Sequence, residues 1–529
     1  MPAPLFLIGF MAAGKTTVGR RIAEAARRRF VDLDDVISAQ GEPVPELVAR
    51  DEAEFRRREA AALAATIFGA SDGPVIATGG GAATFGDNLE RMKAAGCVVA
   101  LTVDLDEAQE RAVGGTKRPL LASGTELVKK RAPIYRQAHA VIDTTGLSIE
   151  AVVELVEHAE WAWHRLPLAR RDATILPLGP RSYPISVYDD PIDAGLLRAY
   201  LDGASKVAVI TDEHVARHWQ GSALRALPGA EVIAIAPGEA NKSLDTYRSL
   251  SEELIRRGLD RGSAIVALGG GVVGDLAGFV ASTFLRGVPV IQLPTTLVAM
   301  TDAAIGGKTA VDLPAGKNLI GAFWQPKLVG CGLATLATLP VRERRAGFGE
   351  LWKYALLDGP SLWQLVEACA AWAAADDGEP DVPAALHEVI RRSIAYKAAI
   401  VARDERELTG HRALLNLGHT VGHAIESETG LHHGEAVGLG LVAAARVSAA
   451  LVGAAPALET EVTAALRRTG LPADLDRYLT DETLDRIKVD KKRIGDKVRF
   501  IAIREVGACD PVEITVTELR RILRRDPAP

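Results

Sequence analysis

The chain has 529 residues, too many for one ordinary hydrophobic core, and a prior of about 150 residues per domain suggests roughly three domains. Its content of 48% hydrophobic and 25% charged residues is that of a globular protein, which excludes a disordered or fibrous chain. A formal net charge of −6 provides no basis for binding nucleic acid or an anionic membrane, so any anionic ligand must be held by local groups of Lys and Arg. The four cysteines, Cys97, Cys331, Cys369 and Cys509, lack CxxC spacing and read as reduced, mostly buried thiols of a cytoplasmic protein. The opening MPAPLFLIGFMAAGK has no basic flank and no cleavage site, so it reads as a first strand and not as a signal peptide. No uninterrupted apolar run reaches the roughly 18 residues of a membrane span.

In chain order, LFLIGF, PVIATGGG, CVVALTV and AVIDTT read as strands alternating with segments of helical periodicity, closed by the helix VVELVEHAEWAWHRL. That pattern predicts a parallel α/β sheet over about the first 160 residues. PLARRDATILPLGPRSYP, rich in Pro and Arg, reads as a linker. KVAVITD, EVIAIAP, SAIVALGGG and VPVIQLPTT then announce a second α/β region. Beyond about residue 335 long Ala/Leu/Glu/Arg stretches predict a mainly helical region, with a single late strand, VRFIAI. The expected division is 1–163, a linker at 164–172, then 173–335 and 336–529.

Gly9 to Thr16, GFMAAGKT, fits GxxxxGK[ST] between a strand and a helix. Such a loop surrounds phosphate oxygens with backbone N–H groups of Gly9, Ala12, Ala13 and Gly14. Lys15 reaches the β and γ phosphates, Thr16 serves Mg2+, and Thr17 follows. The loop predicts a nucleoside triphosphate and names no acceptor. FVDLDD places Asp32 and Asp34 two apart, which on a strand end points both carboxylates the same way. Arg56 lies one turn into a helix with Glu59 three residues on to orient it. Gly79, Gly80 and Gly81 leave room for a polar ligand to approach the backbone. Arg118 lies in RAVGGTKRPLL, a Gly-containing segment fit to close as a lid, and Arg136 ends PIYR.

Together these strings resemble shikimate kinase over nearly all of residues 1–160. The resemblance implies an α/β/α sandwich that uses ATP and Mg2+. It assigns Thr16 and Asp32 to the metal, and Asp34 to the acceptor hydroxyls and, with Lys15 and Arg118, to catalysis. Arg56, Gly79, Gly80, Gly81 and Arg136 would hold shikimate, and Arg111 would lie against the adenine. A small carboxylate-bearing polyol needs Arg forks and one carboxylate for its hydroxyls, which is what this set offers. The Walker B strand, VIATGGG, has no acidic residue, so the metal falls to Asp32.

In the second half, Gly269, Gly271 and Gly274 satisfy GxGxxG after a strand, a signature for dinucleotide pyrophosphate. Asp212 ends an earlier strand, Glu239 and Lys242 follow in PGEANKS, and Thr295 and Thr296 in PTT. TDAAIGGKTAVDLPAGKNLIGAF gathers Asp302, Lys308, Lys317 and Asn318, with Arg286 upstream, as a phosphorylated, hydroxyl-rich ligand would require. His419 and His423 share a helix face, His433 lies one loop away, and Glu350 is a carboxylate in an apolar setting that needs a positive partner. Two His and one Glu leave open positions on a divalent ion, Zn2+ by preference.

GGGVVGDLAGFVAS, GKNLIGAFWQP, LNLGHTVGHAIE and HGEAV, in that order, resemble 3-dehydroquinate synthase over about residues 173–510. The resemblance implies a Rossmann-like α/β domain followed by an all-α metal-binding domain, NAD+ as cofactor, Zn2+ or Co2+, and a homodimer. It places Glu350, His419 and His433 on the metal, with His432 an extra neighbour. Asp212, Glu239, Lys242, Gly270, Gly271, Val272, Asp275, Thr295, Thr296, Lys317 and Thr338 would contact NAD+. The heptulosonate phosphate would meet Asp302, Lys308, Asn318, Lys353, Lys397, Arg412, Asn416 and His423, with Arg286 reaching phosphate from a neighbouring subunit. Of these, Lys308, Lys353, Lys397 and His423 would be catalytic, and Lys491 or Lys492 would complete the pocket. Where many members have Asn near the ribose, this chain has His214.

The expected whole is a multidomain α/β fusion of two enzymes acting on shikimate and on 3-deoxy-D-arabino-heptulosonate 7-phosphate. Four alternatives stay open at this point. The first half is then a gluconate kinase-like enzyme, the second another sugar-phosphate cyclase or a metal-dependent polyol dehydrogenase, or the loop serves a non-catalytic nucleotide sensor.

Overall fold

In the computed structural model residues 3–112, 124–376, 381–487, 493–494 and 497–527 are described, and the chain forms two compact units. The first is Met1–Ser186 with Val401–Arg403, the second Val187–Ile400 with Asp404–Pro529.

In the first unit the elements run β1 (Leu5–Gly9), α1 (Lys15–Ala26), β2 (Phe30–Asp32), α2 (Leu33–Ser38), α3 (Val44–Arg50), α4 (Glu52–Phe68), β3 (Val75–Ala77) and α5 (Asn88–Ala95). β4 (Cys97–Thr102), α6 (Leu105–Ala112), α7 (Gly124–Tyr135), β5 (Ala140–Asp143) and α8 (Ile149–His164) follow. The five strands are parallel in the order β2-β3-β1-β4-β5. β1 is wholly buried, and its alternate residues Phe6 and Ile8 join Leu63, Ile76, Met92 and Val98 in one core layer. The strand order reverses about β1, so the loop after it opens into the crevice at the carboxyl ends of the strands, where α/β sheets bind ligands. Beyond α8 the Pro- and Arg-rich segment is ordered. Trp163 Nε1 donates to the Arg171 carbonyl at 2.7 Å, Leu168–Arg170 forms a 3-10 turn, and β6 (Thr174–Leu176) pairs antiparallel with β7 (Tyr183–Tyr188). The division between units falls inside β7.

The second unit begins with α9 (Ala194–Leu201), β8 (Val207–Asp212), α10 (Glu213–Ala226), β9 (Glu231–Ile235), α11 (Leu244–Arg256), β10 (Ala264–Gly269), α12 (Gly271–Thr283) and β11 (Val290–Pro294). β12 (Lys308–Leu313) and β13 (Gly316–Phe323) form an antiparallel hairpin, and β14 (Leu328–Gly332) returns to the sheet. The parallel order β9-β8-β10-β11-β14 reverses between β8 and β10, so Asp212 and the Gly269–Gly271 turn lie at the switch point. Helices follow: α13 (Val341–Asp358), α14 (Pro360–Ala368), α15 (Ala370–Ala374), α16 (Ala384–Arg403), α17 (His419–Thr429), α18 (His433–Val452), α19 (Ala457–Arg468) and α20 (Asp481–Arg486). VRFIAI lies in a three-stranded antiparallel sheet, β15 (Arg493–Ile494), β16 (Lys497–Glu505) and β17 (Ala508–Thr515), closed by α21 (Val516–Arg524). The sequence does not announce β17, because Asp510, Pro511 and Glu513 break its apolar alternation. α18 has the length and composition of a membrane span, but its apolar window is 78% buried inside the unit, as befits a central core helix.

Candidate active sites

In the first unit Gly9 and Gly14 adopt φ of +128° and +92°, and Ala12 between them is left-handed at +62°. These conformations turn successive amides into the loop, a concavity suited to phosphate. Gly14 is the N-cap of α1 without a side-chain cap, so the helix start adds its partial positive charge. Lys15 Nζ donates to the carbonyls of Gly9 and Phe10, both at 2.9 Å, and the Thr16 hydroxyl donates to Asp32 Oδ2 at 2.8 Å. Arg111, on α6, lies against the loop: it donates to the Ala12 carbonyl at 3.4 Å and to Thr144 Oγ1 at 3.0 Å.

The placing of Asp32 and Asp34 on one face of a strand end is corrected. β2 stops at Asp32, whose carboxylate caps α2 by accepting from Asp34 N at 3.1 Å, so Asp34 belongs to the first helical turn. It still faces the predicted acceptor site through the glycine triplet. A Cβ on Gly79 would strike the Glu59 carboxylate and lie 3.2 Å from Asp34 Oδ1. One on Gly80 would be 3.6 Å from Arg131 Nη1 and from the Gly9 carbonyl, and one on Gly81 would strike the Arg56 guanidinium. Arg56 donates to Glu59 at 2.7 Å. Burial raises the Glu59 carboxyl above its ordinary range against the pull of Arg56, and its Oε1 accepts no hydrogen bond from any described residue. Arg136 lies just beyond α7, half-buried, whereas Arg118 lies outside the described residues. Arg131, buried on α7 beside Gly80, is a candidate the sequence does not single out. It follows the exposed Lys129 and Lys130, and three consecutive cations read as a solvated face.

In the second unit Asp212 caps α10, accepting from His214 N at 2.8 Å and Val215 N at 3.0 Å. Gly270 is the N-cap of α12 without a side-chain cap, which leaves the amides of Gly271 and Val272 facing the crevice. Lys242, buried, donates to Asp275 and to Asn318, each at 2.5 Å. Asn318 has φ +55° and lies near the start of the hairpin's return strand. Burial raises the carboxyls of Asp275 and Glu239. Thr295 and Thr296 follow β11, where the Thr295 amide donates to the Gly269 carbonyl at 3.0 Å. Thr338 accepts from Trp219 Nε1 at 3.0 Å.

Asp302 organises the cations. It accepts from Lys353 at 2.9 Å and from Lys397, whose Nζ also donates to the Asp302 carbonyl at 2.7 Å. Lys353 is fully buried and lies 2.5 Å from Glu350 Oε2. Lys308 pairs with Glu407 at 2.6 Å, and burial followed by Arg412 lowers its ammonium pKa. Arg412, buried, donates to the Glu405 carbonyl at 2.8 Å and approaches Glu407 at 3.5 Å. Asn416 closes the 3-10 turn before α17, and Arg286 is exposed on a turn at φ +72°. Lys491 and Lys492 lie outside the described residues.

Glu350, His419 and His433 each present a ligand atom within 4.8 Å of the others. His419 Nε2 is 3.5 Å and His433 Nε2 3.1 Å from Glu350 Oε1. His419 Nδ1 lies 3.0 Å from the Leu417 carbonyl, which accepts its proton and leaves Nε2 with a lone pair. Burial opposes charge on Glu350, yet Lys353, His433 and His419 outweigh it and hold the carboxyl well below the usual range. Burial keeps His419 neutral, well below its ordinary value. Burial also opposes charge on His433, but Glu350 and Glu426 lift it to about 9. His432 turns away, its Nδ1 3.2 Å from Glu343, and caps α18 in a capping box with Glu435. The His419 and His423 rings are 5.1 Å apart and nearly perpendicular.

Glycines bring these three donors together. A Cβ on Gly349 would meet the Gly434 carbonyl, one on Gly434 the Ala346 carbonyl, and one on Gly440 the Gly418 carbonyl. Each of Glu350, His419 and His433 thus has a glycine neighbour at a backbone crossing, and α13, α17 and α18 approach closely because no side chain intervenes.

The family model of shikimate kinase matches residues 11–160. Those of the 3-dehydroquinate synthase N-terminal and C-terminal regions match residues 232–346 and 347–493. A 3-dehydroquinate synthase of Caulobacter vibrioides is 45% identical over 346 residues, covering 62% of this chain and 92% of that protein. One of Xanthomonas campestris is 44% identical over 350 residues, 63% of this chain and 93% of that protein. Among solved structures, 2-deoxy-scyllo-inosose synthase complexed with carbaglucose-6-phosphate, NAD+ and Co2+ aligns with a TM-score of 0.57 at 26% identity, over 67% of this chain and 99% of that one. The chain belongs to the 3-dehydroquinate synthase family and carries a shikimate kinase domain ahead of that region, two enzymes in one polypeptide.

Proposed function

We propose that residues 1–163 transfer the γ-phosphoryl group of ATP to shikimate, giving shikimate 3-phosphate. Residues 173–335 and 336–529, after a connection at 164–172, convert 3-deoxy-D-arabino-heptulosonate 7-phosphate to 3-dehydroquinate and phosphate. The observation that carries the second reading is the Glu350–His419–His433 donor set next to the Lys353–Asp302–Lys397 cluster.

In the kinase half the loop amides and Lys15 hold the β and γ phosphates, and Thr16 with Asp32 hold Mg2+. Asp34 accepts the hydrogen bond of the attacking hydroxyl. Arg56, kept in place by Glu59, grips the shikimate carboxylate with Arg136 over the Gly79–Gly81 floor. Arg118 meets the charge on the transferring group.

In the synthase half a single carboxylate and two imidazole nitrogens, with the His419 tautomer fixed by a carbonyl, fit Zn2+ or Co2+. The uncapped start of α12 fits the pyrophosphate of NAD+. The bound groups supply Lewis-acid polarisation of a ring hydroxyl and reversible acceptance of its hydride. Lys353, between Asp302 and Glu350, and Lys397, on Asp302, offer donors to substrate hydroxyls and carboxylate. Lys308, Arg412 and a neighbouring subunit's copy of exposed Arg286 would attract the phosphate, which is why a homodimer is included in the proposal. His423 lies beside the metal donors, its ring 5.1 Å from that of His419 and 5.8 Å from that of His433, and would move a substrate proton. A cytoplasmic location fits the four reduced thiols.

The purified full chain supplied with shikimate, ATP and Mg2+ should form shikimate 3-phosphate. Supplied with the heptulosonate phosphate, NAD+ and Zn2+, it should form 3-dehydroquinate. Lys15→Met should abolish only the first reaction and His419→Ala only the second. Loss of both from one change, gluconate serving in place of shikimate, or a cyclitol other than 3-dehydroquinate overturns the corresponding half.

A further inference from the structure

Glu426 belongs to neither predicted site, yet its carboxylate joins two residues that do. α17 carries His419, His423 and Glu426 at i, i+4 and i+7, one stripe along the helix. Glu426 Oε2 lies 3.0 Å from His433 Nδ1, while Oε1 accepts from Lys317 Nζ at 2.7 Å. His433 Nε2 meets Glu350 Oε1 at 3.1 Å, so its ring has a carboxylate at each nitrogen. A histidine that ligates a metal through one nitrogen commonly donates the other N–H to a carboxylate, which sets ring plane and tautomer and raises the ligand's basicity. Glu426 is only 15% exposed and His433 36%, so the pair is half-buried and the Glu426 carboxylate is its more enclosed member. Lys317 lies on β13, whose neighbour Asn318 is held by Lys242 beside Asp275 of α12.

We infer that Glu426 is a positioning residue that aims His433 at the metal and, through Lys317, ties the β12–β13 hairpin, which carries the proposed NAD+ contact Lys317, to that ligand. The inference rests on the proposed metal site. One carboxylate serves both halves of the pocket, so a change at Glu426 acts on metal and on NAD+, whereas a change at Lys317 acts on NAD+ alone. His423, Glu426 and His433 also present ligand atoms within 4.8 Å of one another, so the competing assignment is Glu426 as ligand of a second ion.

The test titrates Zn2+ into the metal-stripped full chain against a chromogenic chelator and measures NAD+ affinity by quenching of protein fluorescence. Glu426→Ala, and Glu426→Gln with the same shape and no charge, should raise the Zn2+ dissociation constant about 10- to 100-fold. Both should also raise the dissociation constant for NAD+, with Glu426→Asp recovering some of each loss. Lys317→Met should weaken NAD+ while leaving the Zn2+ constant within about twofold of wild type, since the His433–Glu426 pair stays intact. Wild-type Zn2+ binding with an unchanged constant in both Glu426 variants overturns the inference and leaves the metal site standing. A second ion per chain that disappears in Glu426→Gln also overturns it. Failure of the wild type to bind Zn2+ at all removes the metal-site reading itself.

Discussion

Asp302 is the anion shared by the buried Lys353 and Lys397, and Lys353 has a second carboxylate in Glu350. Removing Asp302 leaves Lys397 without its carboxylate while Lys353 keeps Glu350, and breaking a buried pair costs roughly 3–5 kcal/mol. Asp302 keeps 23% exposure, which places the cost at the lower end. Asp302→Ala should therefore lower the urea midpoint of the synthase unit and abolish 3-dehydroquinate formation. Asp302→Asn, which keeps the size and some hydrogen bonds, should lose activity with a smaller stability loss; equal stability of both variants with wild type would show the cluster to be solvated. At this scale the sequence singled out Glu350, His419 and His433, whose ligand atoms the structure brings within 4.8 Å of one another, because potential metal donors are few residue types in an apolar setting. Glu426 was just as visible at i+7 from His419, but a single Glu on a helix usually means a solvated face. Arg131 offered less, since only the packed chain distinguishes a buried Arg from its exposed basic neighbours.

The helices bring Glu350, His419 and His433 together only because glycines stand at their crossings. Gly434→Ala places a methyl against the Ala346 carbonyl of α13, and the backbone must separate to admit it. Overpacking of this kind costs about 1–3 kcal/mol, and the shift should also carry His433 from Glu350. Zn2+ affinity should fall with stability in Gly434→Ala. Gly438→Ala, one turn on, meets only the flexible Leu466 side chain at 3.2 Å, together with more distant Leu471, and should leave Zn2+ affinity as in wild type by the same titration. Long elements with strong periodicity were legible: β1, β4, β8, β10 and α8 lie where their apolar runs predicted. The β12–β13 hairpin was not, because β13 is exposed at most positions and punctuated by Gly, so it carries no apolar stripe. Asp34 was misplaced for a related reason: the strand is three residues long and the helix begins at once, which only the Asp32 cap reveals.

Over the whole molecule the proposed function gives each activity its own ion. Dialysis against a strong chelator followed by excess Mg2+ should restore shikimate phosphorylation and leave 3-dehydroquinate formation absent until Zn2+ or Co2+ is added. The absorbance of reduced nicotinamide should not accumulate during cyclisation, because the hydride is returned; steady accumulation would identify a polyol dehydrogenase instead. The chemistry of both halves was legible in residue order alone, since a phosphate loop, a dinucleotide turn and a histidine stripe are local devices, each made by residues a few positions apart. What only the tertiary structure decided is how distant stretches meet. It brings Glu350 to His433 across 83 positions and Lys317 to Glu426 across 109, and it sets Asp34 over Gly79. Such contacts arise from close backbone packing and burial, which act through space and leave no periodicity along the chain.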